Sequence, residues 1–260
     1  MEGRPVVALG GGRVVDAGKA IAAADGLRTA SIPTTLAGSP FTPFHRMPAG
    51  VEGYGLVRPA LVVADPRLMA SMPEEALAAT AMNALAHATE ALYAPGANPV
   101  TEGAALRAAG LFAQGLAPGA LDRSALALAA VLGGYAVGVA GLAIHHAVCQ
   151  TVVRVAGTPH AQTNAVVLPH SVAFAATRVP EVIGRLAKAL GGGTEDPALA
   201  PAAVALMSAR TGVHTLAELG LAESQLDELA DATAAHPGLA NTPGGADRDD
   251  VRALLQSALR

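Results

Sequence analysis

The stretch Val6-Val7-Ala8-Leu9-Gly10-Gly11-Gly12-Arg13-Val14-Val15-Asp16-Ala17-Gly18-Lys19 decides the fold. A short apolar run ends in three glycines and passes into a segment, 14–24, that reads as helix. Strand, glycine turn and helix in that order build a parallel α/β sheet. The glycines let backbone N–H groups come close to a phosphate, and the helix N-terminus favours its negative charge. A plain tight turn has the same composition, so this feature alone does not specify a ligand.

Working outward, Thr29-Ala30-Ser31-Ile32 is a second strand stopped by Pro33, and Ala60-Leu61-Val62-Val63-Ala64 a third ended by Asp65-Pro66. Pro33-Thr34-Thr35 adds hydroxyls at the sheet edge where ligands of open α/β sheets bind. Residues 35–55, rich in glycine and proline, are expected to form a loop or hairpin. After Pro66 the pattern changes to alanine- and leucine-rich helical segments at 73–92, 99–116, 122–148, 180–190, 197–210, 224–235 and 247–259. Pro95-Gly96, Pro118-Gly119, Gly191-Gly192-Gly193 and Pro243-Gly244-Gly245 separate them. The expected fold class is α/β plus all-α, with a partial α/β domain at 1–65 and an all-helical domain at 66–260.

The chain has 260 residues, 52% of them hydrophobic, 15% charged and 3% aromatic. That supplies ample apolar side chain for a core and excludes extensive disorder. A net charge of −4 argues against a nucleic-acid partner, which calls for a concentrated basic surface. The single cysteine, Cys149, excludes an intrachain disulfide framework and suits a reducing cytoplasm. The opening Met1-Glu2-Gly3-Arg4-Pro5 lacks the pattern of a signal peptide. Residues 125–144 carry no charge, are long enough to cross a bilayer, and hold Gly134 and Gly138 at G-x-x-x-G spacing. They lack an aromatic belt and run into His145-His146, so a core helix, and no membrane partner, is expected.

The histidines supply the chemistry. Asn83 and His87 stand four apart in a helical segment and share a face, with Glu90 nearly one turn further along. His146 closes the long apolar segment, and His160 follows Pro159 fourteen residues later. Such imidazoles can gather on a metal or an anionic substrate. His145 is expected to diverge from His146 by about 100°. His45, His170, His214 and His236 show no comparable arrangement. Cys149 reads as inert packing on an apolar helix.

In order along the chain, these motifs resemble the iron-containing alcohol dehydrogenase family. Gly10-Gly11-Gly12-Arg13-Val14-Val15-Asp16-Ala17-Gly18-Lys19 resembles its pyrophosphate loop, and Ile32-Pro33-Thr34-Thr35-Leu36-Ala37-Gly38-Ser39 its second nucleotide segment. Asn83-Ala84-Leu85-Ala86-His87-Ala88-Thr89-Glu90, His146, Pro159-His160 and Asn164-Ala165-Val166-Val167-Leu168-Pro169-His170 resemble its metal-site segments. The Asn83, Glu90-Ala91-Leu92-Tyr93-Ala94-Pro95 and His145-His146 variants are closer to the maleylacetate reductase branch, which reduces a carbon–carbon double bond to give 3-oxoadipate in aromatic-compound breakdown.

The resemblance implies a truncated Rossmann-like sheet joined to a helical domain, in the dehydroquinate synthase-like architecture. It implies NADH or NADPH held by Gly10, Gly11, Gly12, Asp16, Lys19, Thr34 and Thr35. Its catalytic candidates are His87, His146, His160, Asn83 and Gln150, with at least one imidazole protonated to hold a small dicarboxylate. His87, His146 and His160 are the implied metal ligands. Asn83 removes the anionic donor, so metal affinity is expected to be low.

Three departures stand out: Arg13 in place of serine, Pro40 in place of glutamate, and Gln150 where a further histidine is expected. The glycine loop also starts so early that roughly 90 residues, about three βα units, are expected upstream in the family. An uncovered sheet edge would then favour a homodimer. The other reading is a shortened homologue without redox activity: a binding or scaffold protein, or a non-redox enzyme using the histidine pocket.

Overall fold

The computed structural model describes residues 3–45 and 55–260. Three parallel strands, β1 (Val6–Gly10), β2 (Thr29–Pro33) and β3 (Leu61–Val62), lie in the order β1-β2-β3. α1 (Gly12–Ala24) crosses one face of this sheet. It sits so close that a Cβ on Gly18 would lie 2.8 Å from that of Ala8. The expected loop at 35–55 contains a 3-10 turn at Ser39–Phe41, and 46–54 lie outside the described residues.

A single turn, α2 (Pro66–Met69), leads into the helices. α3 (Glu74–Ala91), α4 (Pro99–Gly115) and α5 (Arg123–Ala140) pack on one another. Asn98 and Thr101 form a capping box at the start of α4, and Asp122 caps α5 through the Ala125 N–H. Small residues permit the close packing, since a Cβ on Gly133 of α5 would stand 3.0 Å from the Ala84 carbonyl of α3. α5 has the length and composition of a membrane span, but 56% of it is buried within the protein. Its Gly134 and Gly138 receive Phe41, whose ring and carbonyl would be 2.7 and 2.8 Å from added Cβ atoms.

Residues 122–148, read as one continuous segment, form two helices. Gly141, at φ 98°, ends α5, and α6 (Ile144–Ala156) begins in a new direction. His146 therefore lies in the first turn of a helix, not at the end of one. α7 (His160–Arg178) has no counterpart in the sequence reading, because Pro169 interrupts the helical pattern. Packing against α3, α6 and α9 (Leu199–Ser208) sustains it through the proline. α8 (Pro180–Ala187), α10 (Leu226–Ala234) and α11 (Arg248–Leu259) complete the fold.

Two apolar cores result. One joins α3, α4, α5, α7, α8 and α9, and the other joins α6 to α10 and α11. α3 and α6, one from each core, supply the buried histidines at the seam.

Candidate active site

Asn83, His87 and Glu90 occupy one face of α3 and are buried. Glu90 lies against the start of α6, where its Oε1 accepts the His146 backbone N–H at 3.2 Å. Its Oε2 stands 2.5 Å from His146 Nδ1. With Nδ1–H donated to the carboxylate, Nε2 is left as the acceptor of a neutral imidazole. The His87 and His146 rings stack at 4.8 Å and 9°. Asn83 Oδ1, His87 Nδ1 and His146 Nε2 are buried and have no hydrogen-bond partner among the described residues. Unpartnered buried polar atoms are uncommon, and three in one place mark a site for a missing group.

His145 diverges from His146 to different partners, as the helical spacing implies, although the two rings remain 5.0 Å apart edge to face. Asn164 Nδ2 donates to the His160 carbonyl at 2.7 Å, which turns its Oδ1 toward His145 Nε2 at 2.9 Å. His145 therefore carries its proton on Nε2, and its Nδ1 faces Ser171 Oγ at 2.9 Å. His160 is exposed at the rim, near enough for its charge to depress the three buried imidazoles.

Burial, reinforced by the neighbouring histidines, holds His145 and His146 down to about 3 and His87 well below its ordinary 6.5. Burial raises Glu90 against the pull of His145 and three backbone N–H groups, and raises the Cys149 thiol well above its usual range. Burial thus favours the neutral form of His87, His145 and His146 in the free protein. Low dielectric makes a lone buried cation too costly.

At the sheet, a Cβ on Gly10 would meet Val14 at 2.8 Å, one on Gly11 would meet Thr35 at 3.1 Å, and one on Gly12 would meet Ala37 at 3.1 Å. No side chain caps the N-terminus of α1. These residues form a tight glycine turn at an uncapped helix N-terminus, the kind of backbone that can take a phosphate. Thr34 is tied to it through its N–H to the Gly10 carbonyl at 3.0 Å. The same loop reaches the histidines, because a Cβ on Gly38 would lie 2.6 Å from His87 Cε1.

Lys19 and Asp16 make contacts within the protein. Lys19 is fully buried and donates to the carbonyls of Ser39 at 2.9 Å, Thr42 at 3.3 Å and Phe44. Asp16 accepts from Ser39 Oγ at 2.5 Å and pairs with Lys19 at 3.1 Å. Both residues shape the 39–44 loop; the Lys19 ammonium is buried, while the Asp16 side chain remains partly exposed. Gln150 lies on the site face of α6 and meets His236, whose Nε2 is 3.2 Å from Gln150 Oε1. Nothing near His236 in the chain signals a partner 86 residues away, so its place at the site is not legible in the sequence.

The residues implied as metal ligands differ in what they offer. Asn83, His87 and His146 offer only neutral atoms, while Glu90 is engaged by His146. Two open clefts, of about 330 and 550 Å³, lie elsewhere, at Arg67 and Arg123 and at the N-terminal ends of the strands. The second is at the wrong end of the sheet for a ligand of an open α/β fold.

A parallel sheet with a glycine turn at its C-terminal edge stands beside a buried imidazole cluster, where open α/β folds bind ligands. The chain belongs to the iron-containing alcohol dehydrogenase family, whose C-terminal model matches residues 77–259 and whose second model matches 2–73. Maleylacetate reductase 1 of Rhodococcus opacus is 39% identical over 97% of this chain and 72% of its own length. The crystal structure of maleylacetate reductase from Agrobacterium tumefaciens matches with a TM-score of 0.83 at 34% identity, covering 97% of this chain and 73% of that one. The Rhizobium sp. strain MTP-10005 enzyme of the same name gives 0.83 at 33%, covering 97% and 73%. The fold is that of the family's oxidoreductases.

Proposed function

We propose that the protein is an NAD(P)H-dependent reductase of the maleylacetate type, acting on the carbon–carbon double bond of a small dicarboxylate to give 3-oxoadipate. The observation that carries this reading is the neutral donor set, with Asn83 beside His87 and His146. An alcohol dehydrogenase gains from a Lewis acid on its C–O group. Reduction of an activated enone needs only polar groups that stabilise the developing enolate. The nicotinamide would supply hydride to the β-carbon, with its pyrophosphate on the N–H groups of Gly11, Gly12 and Arg13. Gly38 and Thr35 would set the distance between that cofactor and His87.

A dianion arriving beside neutral His87 and His146 raises their proton affinity, because opposite charge favours the protonated form. Dicarboxylate binding is therefore expected to take up to about one proton per site. Calorimetry in two buffers of different ionisation enthalpy measures this uptake, and buffer-independent heats would count against the reading. We place the reaction in a reducing cytoplasm, where the free thiol of Cys149 is at home, and expect a homodimer.

The second reading is a family member that no longer holds the cofactor. Titration with NADH, followed by turnover with maleylacetate, separates the two. Binding and turnover support the reductase, whereas absence of both with retained dicarboxylate binding supports the non-redox reading.

A further inference from the structure

His236 and Gln150 form a defined pair beside the site. A 3-10 turn at Pro237–Asn241 follows α10 and is pinned to the chain entering α6, with Asn241 Nδ2 donating to the Leu142 carbonyl at 2.7 Å. At the head of that turn the Gly238 N–H donates to His236 Nδ1 at 3.0 Å. A backbone N–H can only donate, so Nδ1 is an acceptor and the ring proton resides on Nε2. His236 Nε2–H must then donate to the atom it faces, at 3.2 Å, which makes that atom the carboxamide oxygen of Gln150. One backbone contact thus fixes both the histidine tautomer and the orientation of the amide.

With its oxygen held, Gln150 presents its N–H₂ as the free end. Gln150 stands four residues after His146 on α6, hence on the same face. Because His236 contacts Gln150 directly, the pair lies on the site side of the helix. Both members are partly exposed, whereas His146 is buried, so they lie further out along the same approach. Arg154, one more turn along, adds positive potential against His236. A fixed N–H donor at the mouth of a cluster of neutral acceptors suits an acceptor-only anion such as a carboxylate.

We propose that His236 is a positioning residue of the substrate site: it holds Gln150 by its amide oxygen and turns the amide N–H₂ toward one carboxylate of a small dicarboxylate. The assignment rests on the dicarboxylate reading above, and its test runs without the nicotinamide. Burial and Arg154 both lower the proton affinity of His236. Protonation at Nδ1 would also set two N–H groups head to head, so the arrangement persists across neutral pH.

The probe is maleate, titrated calorimetrically into the full chain and into His236→Asn, Gln150→Leu and the double variant. Asparagine keeps an acceptor for the Gly238 N–H but cannot reach Gln150, which separates the turn from the positioning role. His236→Asn is expected to retain the thermal midpoint and to weaken maleate about tenfold, as for one hydrogen bond to a charged group. Gln150→Leu should weaken it equally, and the double variant no further. His236→Gln, which restores a donor at the distal nitrogen position, should recover most of the affinity. Wild-type-like binding by His236→Asn, or multiplicative losses in the double variant, overturns the proposal. Failure of the unmodified chain to bind maleate overturns the dicarboxylate reading, and this assignment with it. Independently of folding of the variants, nitrogen-15 spectra of the wild type must show the Nε2–H tautomer and a maleate-dependent shift of the Gln150 amide. Either result missing overturns the assignment.

Discussion

Fourteen of the eighteen residues of α3 are buried, whereas Val7, Leu9, Leu61 and Val63 around the sheet remain between 45 and 62% exposed. Val7, Ala30 and Leu61 lie side by side in register, so the exposed residues share one apolar face of β1, β2 and β3. α1 covers only the other face. Parallel sheets are ordinarily covered on both. The helical region therefore carries its own cores and holds the site from within, while the sheet region contributes a loop and a cradle but leaves apolar surface to be covered.

Leu85→Ala, in the middle of α3, should show the largest contrast, lowering stability by about 2–5 kcal/mol through the cavity it leaves. Urea unfolding followed by circular dichroism measures it, and a loss below about 1 kcal/mol would place the core elsewhere.

The histidine seam predicts acid sensitivity. His145 and His146 titrate near 3 in the folded protein against about 6.5 unfolded. The unfolded chain binds more protons between these values, so stability is intact above about 6.5 and falls as pH drops toward 3. From pH 7 to 5 each ring accounts for about 2 kcal/mol. The thermal midpoint should fall over that interval, and His145→Gln should flatten the slope. An unchanged slope would show that His145 is not held neutral.

Lys19→Met probes the tie between cradle and loop. It leaves the carbonyls of Ser39, Thr42 and Phe44 without their donor, at a cost of about 1–3 kcal/mol. Faster proteolysis at 39–44 is the direct readout, and unaltered cleavage would deny Lys19 its structural role.

Smallest is Leu9→Thr on the open face, expected to change the stability of the isolated chain by less than about 0.5 kcal/mol. If two copies close over this face, light scattering should show weaker association for the variant. A large loss of stability in the monomer would mean that the face is already covered.

Strands β1 and β2, the glycine cradle and the bounds of α3 and α4 are legible from the sequence, because local apolar runs and breakers specify them. Asn83, His87 and Glu90 are legible as one helix face for the same reason. The break at Gly141 is not, since a glycine among alanines and valines reads equally as helix interior. Nor is α7, where packing on both sides outweighs the cost of Pro169.

By itself the sequence determined the element types, the glycine turn and the replacement of an anionic donor by Asn83, all of which follow from residue identity and short-range spacing. Tertiary structure alone decided that Lys19 serves a loop, that His87, His145 and His146 are buried together, and that His236 reaches Gln150. Each of these depends on burial or on contacts between distant segments, and local periodicity carries no information about either.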